Sequence, residues 1–280
     1  MIETTTTTND ATTKWAPAIE ALQKIVGPDQ LILSGDKLEK LSKDYYWYSP
    51  VLKRQLDDKS ADFAVLISSR EELREVLGCL YEGGVPVSIR GGGTGNYGQL
   101  IPLEGGALLD LSLMNKVLSV ADGILIAEPG VRIEKVEIEA GNAGYEMRCI
   151  PSTWVKSALA GFLAGGSGGI GSVTHGGLAE PGTVRRLVVM SLEGQPREIE
   201  LTGTDVLKAM HTYGTNGIIV EIEMALAPKR NYDQLIVTHS DWDVLFGWLD
   251  TFARDDAFPK RLTTGVQAPV PDAFLPLKKY

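Results

Sequence analysis

Apolar and polar positions follow two different periods along this chain, and the change between them divides it. Beyond Trp15, Ile19, Leu22, Ile25 and Val26 recur near a helical period, which predicts a helix interrupted at Gly27-Pro28. A second short helix is expected after Ser34, ending near Leu41. Tyr45, Tyr46, Trp47 and Tyr48 lead into Ser49-Pro50 and read as a loop packed on the main domain. The run Ala64-Val65-Leu66-Ile67 has the length of a buried strand. Ser69 can then cap a helix, Glu71 and Glu72 fall where the helix dipole favours acids, and Leu73, Val76, Leu77 and Leu80 form one apolar stripe. Gly83-Gly84 ends that helix, and 85–89 is the next strand. A strand–helix–strand unit of this length predicts parallel pairing.

Further on the pattern shortens. Residues 107–111, 117–120, 124–128, 185–192, 197–201 and 218–227 read as strands. One clear helix, 133–143, is stopped by Gly144. Many short strands with few helices predict a mainly antiparallel sheet. The expected fold is α+β in two lobes, a small parallel βαβ lobe and a larger antiparallel one with helices.

Composition narrows the partners. The chain has 280 residues, 44% apolar and 22% charged, with a formal net charge of −9. That balance argues against nucleic acid or an anionic membrane surface. No apolar run approaches the roughly 18–20 residues of a membrane span. The threonine-rich start, Thr4 to Thr8, lacks the features of a secretory signal and reads as a polar tail. Cys79 and Cys149 lie in apolar patterns without a Cys-x-x-Cys spacing, so buried reduced thiols and a cytoplasmic location are expected. His175, His211 and His239 have no metal-ligand spacing, and no metal is expected.

The candidate chemistry lies in glycine clusters. Arg90-Gly91-Gly92-Gly93-Thr94-Gly95-Asn96-Tyr97-Gly98-Gln99 follows a predicted strand. Glycines let successive N–H groups turn toward one point, a geometry that holds phosphate oxygens. The loop follows the second strand of the unit instead of opening its helix, unlike a Rossmann turn, and a P-loop Gly-Lys-Ser/Thr is missing. A second cluster spans 160–172, with Phe162, Leu163 and Ile170 spaced for packing. A third, Tyr213-Gly214-Thr215-Asn216-Gly217-Ile218-Ile219, opens a strand. Three separated glycine segments imply one long ligand, and a dinucleotide fits better than a monophosphate.

Together these segments resemble the FAD-binding domain of the vanillyl-alcohol oxidase / p-cresol methylhydroxylase (PCMH-type) superfamily. The resemblance covers about residues 58–228 and points to the FAD-linked oxidase branch with glycolate and D-lactate dehydrogenases. It implies that the loop Arg90, Gly91, Gly92, Gly93, Thr94 and Gly95 holds the pyrophosphate with backbone N–H groups, that Thr94 and Asn96 add side-chain bonds, and that Gln99 also binds the cofactor, although Arg90 also suits an ion pair bracing the loop. Pro151 and Ser152 match a turn near the flavin. Gly161, Gly165, Gly166, Gly171 and Ser172 match the second cofactor loop, and Gly217, Ile218 and Ile219 a cofactor-contacting strand start. Phe162, Gly165 and Ala160 stand where Asn, Thr and Gly are usual, so backbone contacts carry more of the binding. Covalently flavinylated relatives carry His at the position of Thr94, so noncovalent FAD is expected. His175 is the candidate catalytic residue at the ring or substrate.

The resemblance implies a division into an N-terminal segment 1–57, an FAD-binding domain 58–228, and 229–280 as the start of an incomplete substrate or cap domain. In that last part 235–238 reads as a strand and 242–254 as a helix, before a proline-rich tail at 268–276. The implied activity is oxidation of a small 2-hydroxy acid or related alcohol by hydride transfer to flavin N5. The alternatives are an FAD-binding module that needs a partner chain or a second copy to complete the cap, and a non-redox use of flavin as in alkylglycerone-phosphate synthases.

Overall fold

The structure, a computed structural model, describes residues 13–271. The threonine-rich start and the end of the proline-rich tail lie outside the described residues. The first helix, α1 (Ala16–Leu22), ends before Gly27-Pro28, and a single 3₁₀ turn leads into a short strand β1 (Leu31–Ile32). The interruption expected at Gly27-Pro28 is therefore the end of one helix and the approach to a strand. Helix α2 (Asp36–Leu41) follows, then a 3₁₀ turn at Tyr46–Tyr48 and α3 (Pro50–Leu56), capped by the Ser49 side chain. The expected aromatic loop is thus partly helical, because Ser49-Pro50 supplies a cap and a first-turn proline.

The predicted unit is present as β2 (Phe63–Leu66), α4 (Arg70–Glu82) and β3 (Val87–Arg90). The Ser69 side chain accepts from Glu72 N–H, and Leu73, Val76, Leu77 and Leu80 are fully buried. Its two strands do not pair with each other. β4 (Ala107–Asp110) inserts between them, parallel to both, and the sheet order is β1-β2-β4-β3. Residues 107–111 were expected in the antiparallel set, so this is a correction. An apolar run with every residue buried, as in β4, is what a central parallel strand requires.

The second sheet contains β5 (Val117–Ala121), β6 (Ile124–Ala127), β8 (Val184–Met190), β9 (Glu198–Thr202) and the long β10 (Ile218–Pro228) in the antiparallel order β5-β6-β10-β8-β9. β7 (Tyr145–Met147) pairs with the far end of β10. Helix α5 (Ile133–Asn142) covers this sheet, and α6 (Leu159–Gly165) and the single turn α7 (Ser172–His175) follow β7. The fold is α+β with two lobes. They share an apolar core: Leu73, Val76 and Leu77 of α4 and Phe63 of β2 pack in one cluster with Val188, Met190, Ile218 and Val220 of the second sheet. Burying both lobes against one helix fixes where the loop after β3 faces the start of β10.

Beyond β10, helix α8 (Trp242–Arg254) forms as expected. The strand expected at 235–238 does not, because no described strand lies beside it to complete a ladder. Leu235, Ile236 and Val237 are exposed.

Candidate functional site

A cleft of about 850 Å³, counting its open mouth, lies between the lobes. One wall is the loop after β3, with Gly91, Gly92, Gly93, Thr94, Gly95 and Gln99. The opposite wall is α6 with its approach, through Ala158, Ala160, Gly161, Ala164 and Gly165. Tyr213, Gly214, Gly217, Ile218 and Ile219 close the end at the start of β10. The three glycine segments thus converge on one space.

The walls meet backbone to backbone. A Cβ built on Gly92 would lie 2.5 Å from Lys156 O and 2.8 Å from Ala158 N, so only glycine permits this approach. Gly217 has φ +120, a conformation that other residues rarely adopt. At the near end Thr94 Oγ1 lies 2.9 Å from Ser157 Oγ, which is 2.8 Å from Thr153 Oγ1. Among the described residues, no backbone N–H from Gly92 to Asn96 donates to another protein atom. Unspent N–H groups in a loop that lines a cleft are donors available to an anion.

Arg90 braces this loop from behind. Its Nη1 donates to Leu41 O at 2.6 Å and Lys43 O at 2.9 Å, and Nε faces Asp110 Oδ2 at 3.6 Å. Register explains the last contact, since Arg90 and Asp110 are neighbours across β3 and β4. Burial works against the Arg90 charge, and Asp110 and Asp44 support it. Its guanidinium does not line the cleft.

Other candidate residues lie away from the cleft. Asn96 follows the loop's lining residues. Gly166 is the left-handed cap of α6, and a Cβ there would strike the His211 side chain. Gly171 packs on Arg148 O, and Gly169 on Ile150 O, so the second half of that cluster makes close turns against the residues after β7. Pro151 and Ser152 belong to the turn there, and Ser172 Oγ donates to Gly169 O at 2.6 Å. His175 ends α7, half-buried. Burial pulls its imidazole below the ordinary value, as do Arg148, Arg230 and Arg261, while Glu146 opposes them.

The cleft also contains a residue that no motif singled out. Asp44, just before the aromatic run, is 6% exposed and lines the space beside Gly95. Its Oδ1 accepts from Tyr46 N–H at 2.8 Å, and Tyr45 N–H donates to Gly95 O at 2.8 Å. These bonds tie the N-terminal segment to the glycine loop. Nothing in local spacing marks Asp44, which lies far from the loop in sequence. Tyr213 and Gly214 stood within the third cluster and were missed as lining residues.

Comparison with known proteins agrees with this geometry. Residues 61–199 match the family model for the FAD binding domain. The chain carries an FAD binding domain. Similar curated proteins include an uncharacterised FAD-linked oxidoreductase of Mycobacterium tuberculosis, 27% identical over 73% of this chain and 44% of the relative. The glycolate oxidase subunit GlcD of Escherichia coli is 25% identical over 63% of this chain and 37% of its own length. The chain therefore spans less than half the length of these relatives. Among solved structures, alkyldihydroxyacetonephosphate synthase superposes with a TM-score of 0.66 at 22% identity, covering 76% of this chain and 44% of that one. p-Cresol methylhydroxylase does so with a TM-score of 0.60 at 18% identity, covering 78% and 44%. The FAD binding domain thus has the PCMH-type fold, and its glycine-walled cleft lies between the two lobes.

Both cysteines of the FAD binding domain are free, Cys149 buried and Cys79 partly so, and burial pushes both thiols up. No helix among the described residues is long and apolar enough to cross a membrane.

Proposed function

We propose that this chain is the FAD-binding part of an oxidoreductase that oxidises a 2-hydroxy acid or a related alcohol. The observation that carries the reading is the row of unspent N–H groups from Gly92 to Gly95, in a loop that walls a cleft together with two other glycine segments. It suits a ligand that is anionic in its middle and extended on both sides. In this reading the Gly91–Gly95 loop holds the pyrophosphate, and Gly161, Gly165 and Gly217 let the cofactor lie close to backbone. Ile218 and Ile219 supply apolar contact. Charge-assisted bonds of this kind contribute about 1.5–3 kcal/mol each. Bound FAD would supply the hydride acceptor, N5. The substrate class follows the printed activities of relatives such as GlcD and the D-lactate dehydrogenase of Archaeoglobus fulgidus.

Among the described residues the cleft lining holds no arginine, lysine or histidine. A carboxylate substrate needs a cation, and its hydroxyl needs a base. This observation favours a second reading, in which the chain binds FAD and turns over only when another segment, a partner chain or a second copy supplies those groups. The domain division at 58 and 228 is part of the same proposal, and so is a place for His175 at that completed site. His175 does not line the cofactor cleft. Non-redox flavin use is the remaining alternative, since the alkyldihydroxyacetonephosphate synthase fold is similar.

Anaerobic mixing of the FAD-loaded chain with glycolate or D-lactate separates the readings. Bleaching of the flavin's long-wavelength band is expected for the oxidoreductase. Stoichiometric FAD without bleaching supports the module. Thr94 stands where covalently flavinylated relatives carry His, so attachment is proposed to be noncovalent. Acid precipitation should leave a colourless pellet and a yellow supernatant, and flavin remaining in the pellet would contradict this.

A further inference from the structure

The buried acid in the cleft has an oxygen that no protein donor reaches in bonding geometry. Asp44 Oδ1 is taken by Tyr46 N–H, whereas Oδ2 has no hydrogen-bond partner; a Cβ built on Gly95 would lie 3.3 Å from it, and Asp44 is one of the residues lining the cleft. Leaving a buried acceptor unpaired costs about 1–3 kcal/mol, and more when it is charged. Such an atom, on a residue that lines a ligand cleft, is open to a bond from a ligand donor. Pyrophosphate, an anion without a donor, cannot make it to the ionised carboxylate. Oδ2 needs an O–H or N–H, and a flavin dinucleotide carries both on its ribityl, ribose and ring portions.

We propose that Asp44 is a cofactor-binding residue, whose Oδ2 accepts a hydrogen bond from a hydroxyl or ring N–H of the bound dinucleotide. This rests on the FAD reading of the cleft and deepens it. The glycine loop supplies donors to the anionic middle of the ligand, and Asp44 supplies the acceptor that its neutral, donor-bearing part requires.

The proton balance follows. Burial makes the free Asp44 carboxyl hold its proton more tightly than an ordinary aspartate. Tyr46 N–H and Arg90 oppose this, as do the N–H groups of Gly98 and Gln99, which face the carboxyl without reaching bonding geometry. The charged neighbours are otherwise engaged. Arg90 of β3 faces Asp110 of β4, Lys43 donates to the carbonyls of Leu56 and Asp57, and Tyr46 OH donates to Asp57. A ligand donor at Oδ2 favours the carboxylate, so in the range where the free carboxyl still holds its proton, binding releases it to solvent. Affinity then rises with pH.

The test uses the full chain and FAD, titrated from about pH 4, near the ordinary aspartate value, up to about pH 8. Calorimetry in two buffers of different ionisation enthalpy counts the protons. Wild type should bind more tightly as pH rises and release protons. Asp44→Asn keeps the acceptor for Tyr46 but cannot ionise. It should bind with no such pH slope and about tenfold more weakly at the upper end, the difference between a charged and a neutral acceptor. Without FAD it should melt at the same temperature as wild type or higher. The proposal fails if wild-type affinity is flat with pH, or if the slope persists in Asp44→Asn. It also fails if the variant melts lower without FAD, which would make Asp44 a brace for the fold. A wild type that binds no FAD at any pH would overturn the cofactor reading as well.

Discussion

Two glycines of the same cleft face opposite surroundings, and their substitutions should separate folding from binding. Gly92 meets only backbone: an added Cβ would lie 2.5 Å from Lys156 O and 3.0 Å from Ser157 Cα. Neither neighbour is a flexible side-chain end, so one wall must move. Overpacking of this kind costs about 1–3 kcal/mol. Gly92→Ala should lower the urea midpoint and weaken FAD binding together. Gly165 lines the cleft from the end of α6, and its Cβ would meet nothing within 4 Å. Alanine is the better helix former by about 1 kcal/mol. Gly165→Ala should therefore keep or raise stability while it weakens FAD binding by narrowing the cleft. Equal losses of stability in the two variants would contradict this assignment. Behind the loop, Arg90→Met should be far more damaging to folding. It removes the bonds to Leu41 and Lys43 and leaves the buried Asp110 without its cation. Breaking a buried pair from one side costs about 3–5 kcal/mol, which denaturant unfolding would read directly.

Between elements, the tie that matters most runs from α4 to the antiparallel sheet. Arg70 near the start of α4 reaches Glu198 of β9 and Glu221 of β10, and Arg186 of β8 reaches Glu221 and Glu223. Burial alone would push the Glu221 carboxyl up. The hydrogen bonds from Arg186 and Arg70 override it and hold the group below the ordinary carboxylate value. A carboxyl depressed in the folded state stabilises above its unfolded value, about 4.5. That contribution is lost as pH falls through the folded value. Glu221→Gln should thus be less stable than wild type at neutral pH, and the gap should shrink on acidification below about pH 4. A gap that stays constant with pH would remove Glu221 from the account. The same elements show what local pattern can and cannot reveal. Helix α4 was legible because Ser69, Glu72 and the leucine stripe encode it within a few residues. The place of β4 was not, because a fully apolar strand looks alike in either sheet and its neighbours are chosen by long-range packing. The cleft was legible where glycine marks it. It was invisible at Asp44, Ala158 and Ala164, which become lining residues only through the fold. Arg90 was readable in both roles, and its side chain is placed as a brace.

At the scale of the molecule, the cleft joins the lobes as much as the core does. The loop after β3 belongs to the parallel lobe, whereas α6 and the start of β10 belong to the antiparallel one. The two lobes also share the apolar cluster around Leu73, Leu77, Met190 and Val220, so they should unfold together. A ligand held by both walls binds only the folded arrangement and stabilises it by mass action, by about 2.7 kcal/mol at a hundred times its Kd. For a chain of this size each kcal/mol raises the melting temperature by about 2–4 °C. Saturating FAD should therefore raise a single thermal transition by about 5–10 °C. ADP and FMN, each covering part of the same path, should raise it less. If FAD instead split the melt in two and moved only one step, the ligand would be held by one lobe, and the three glycine segments would not form one site.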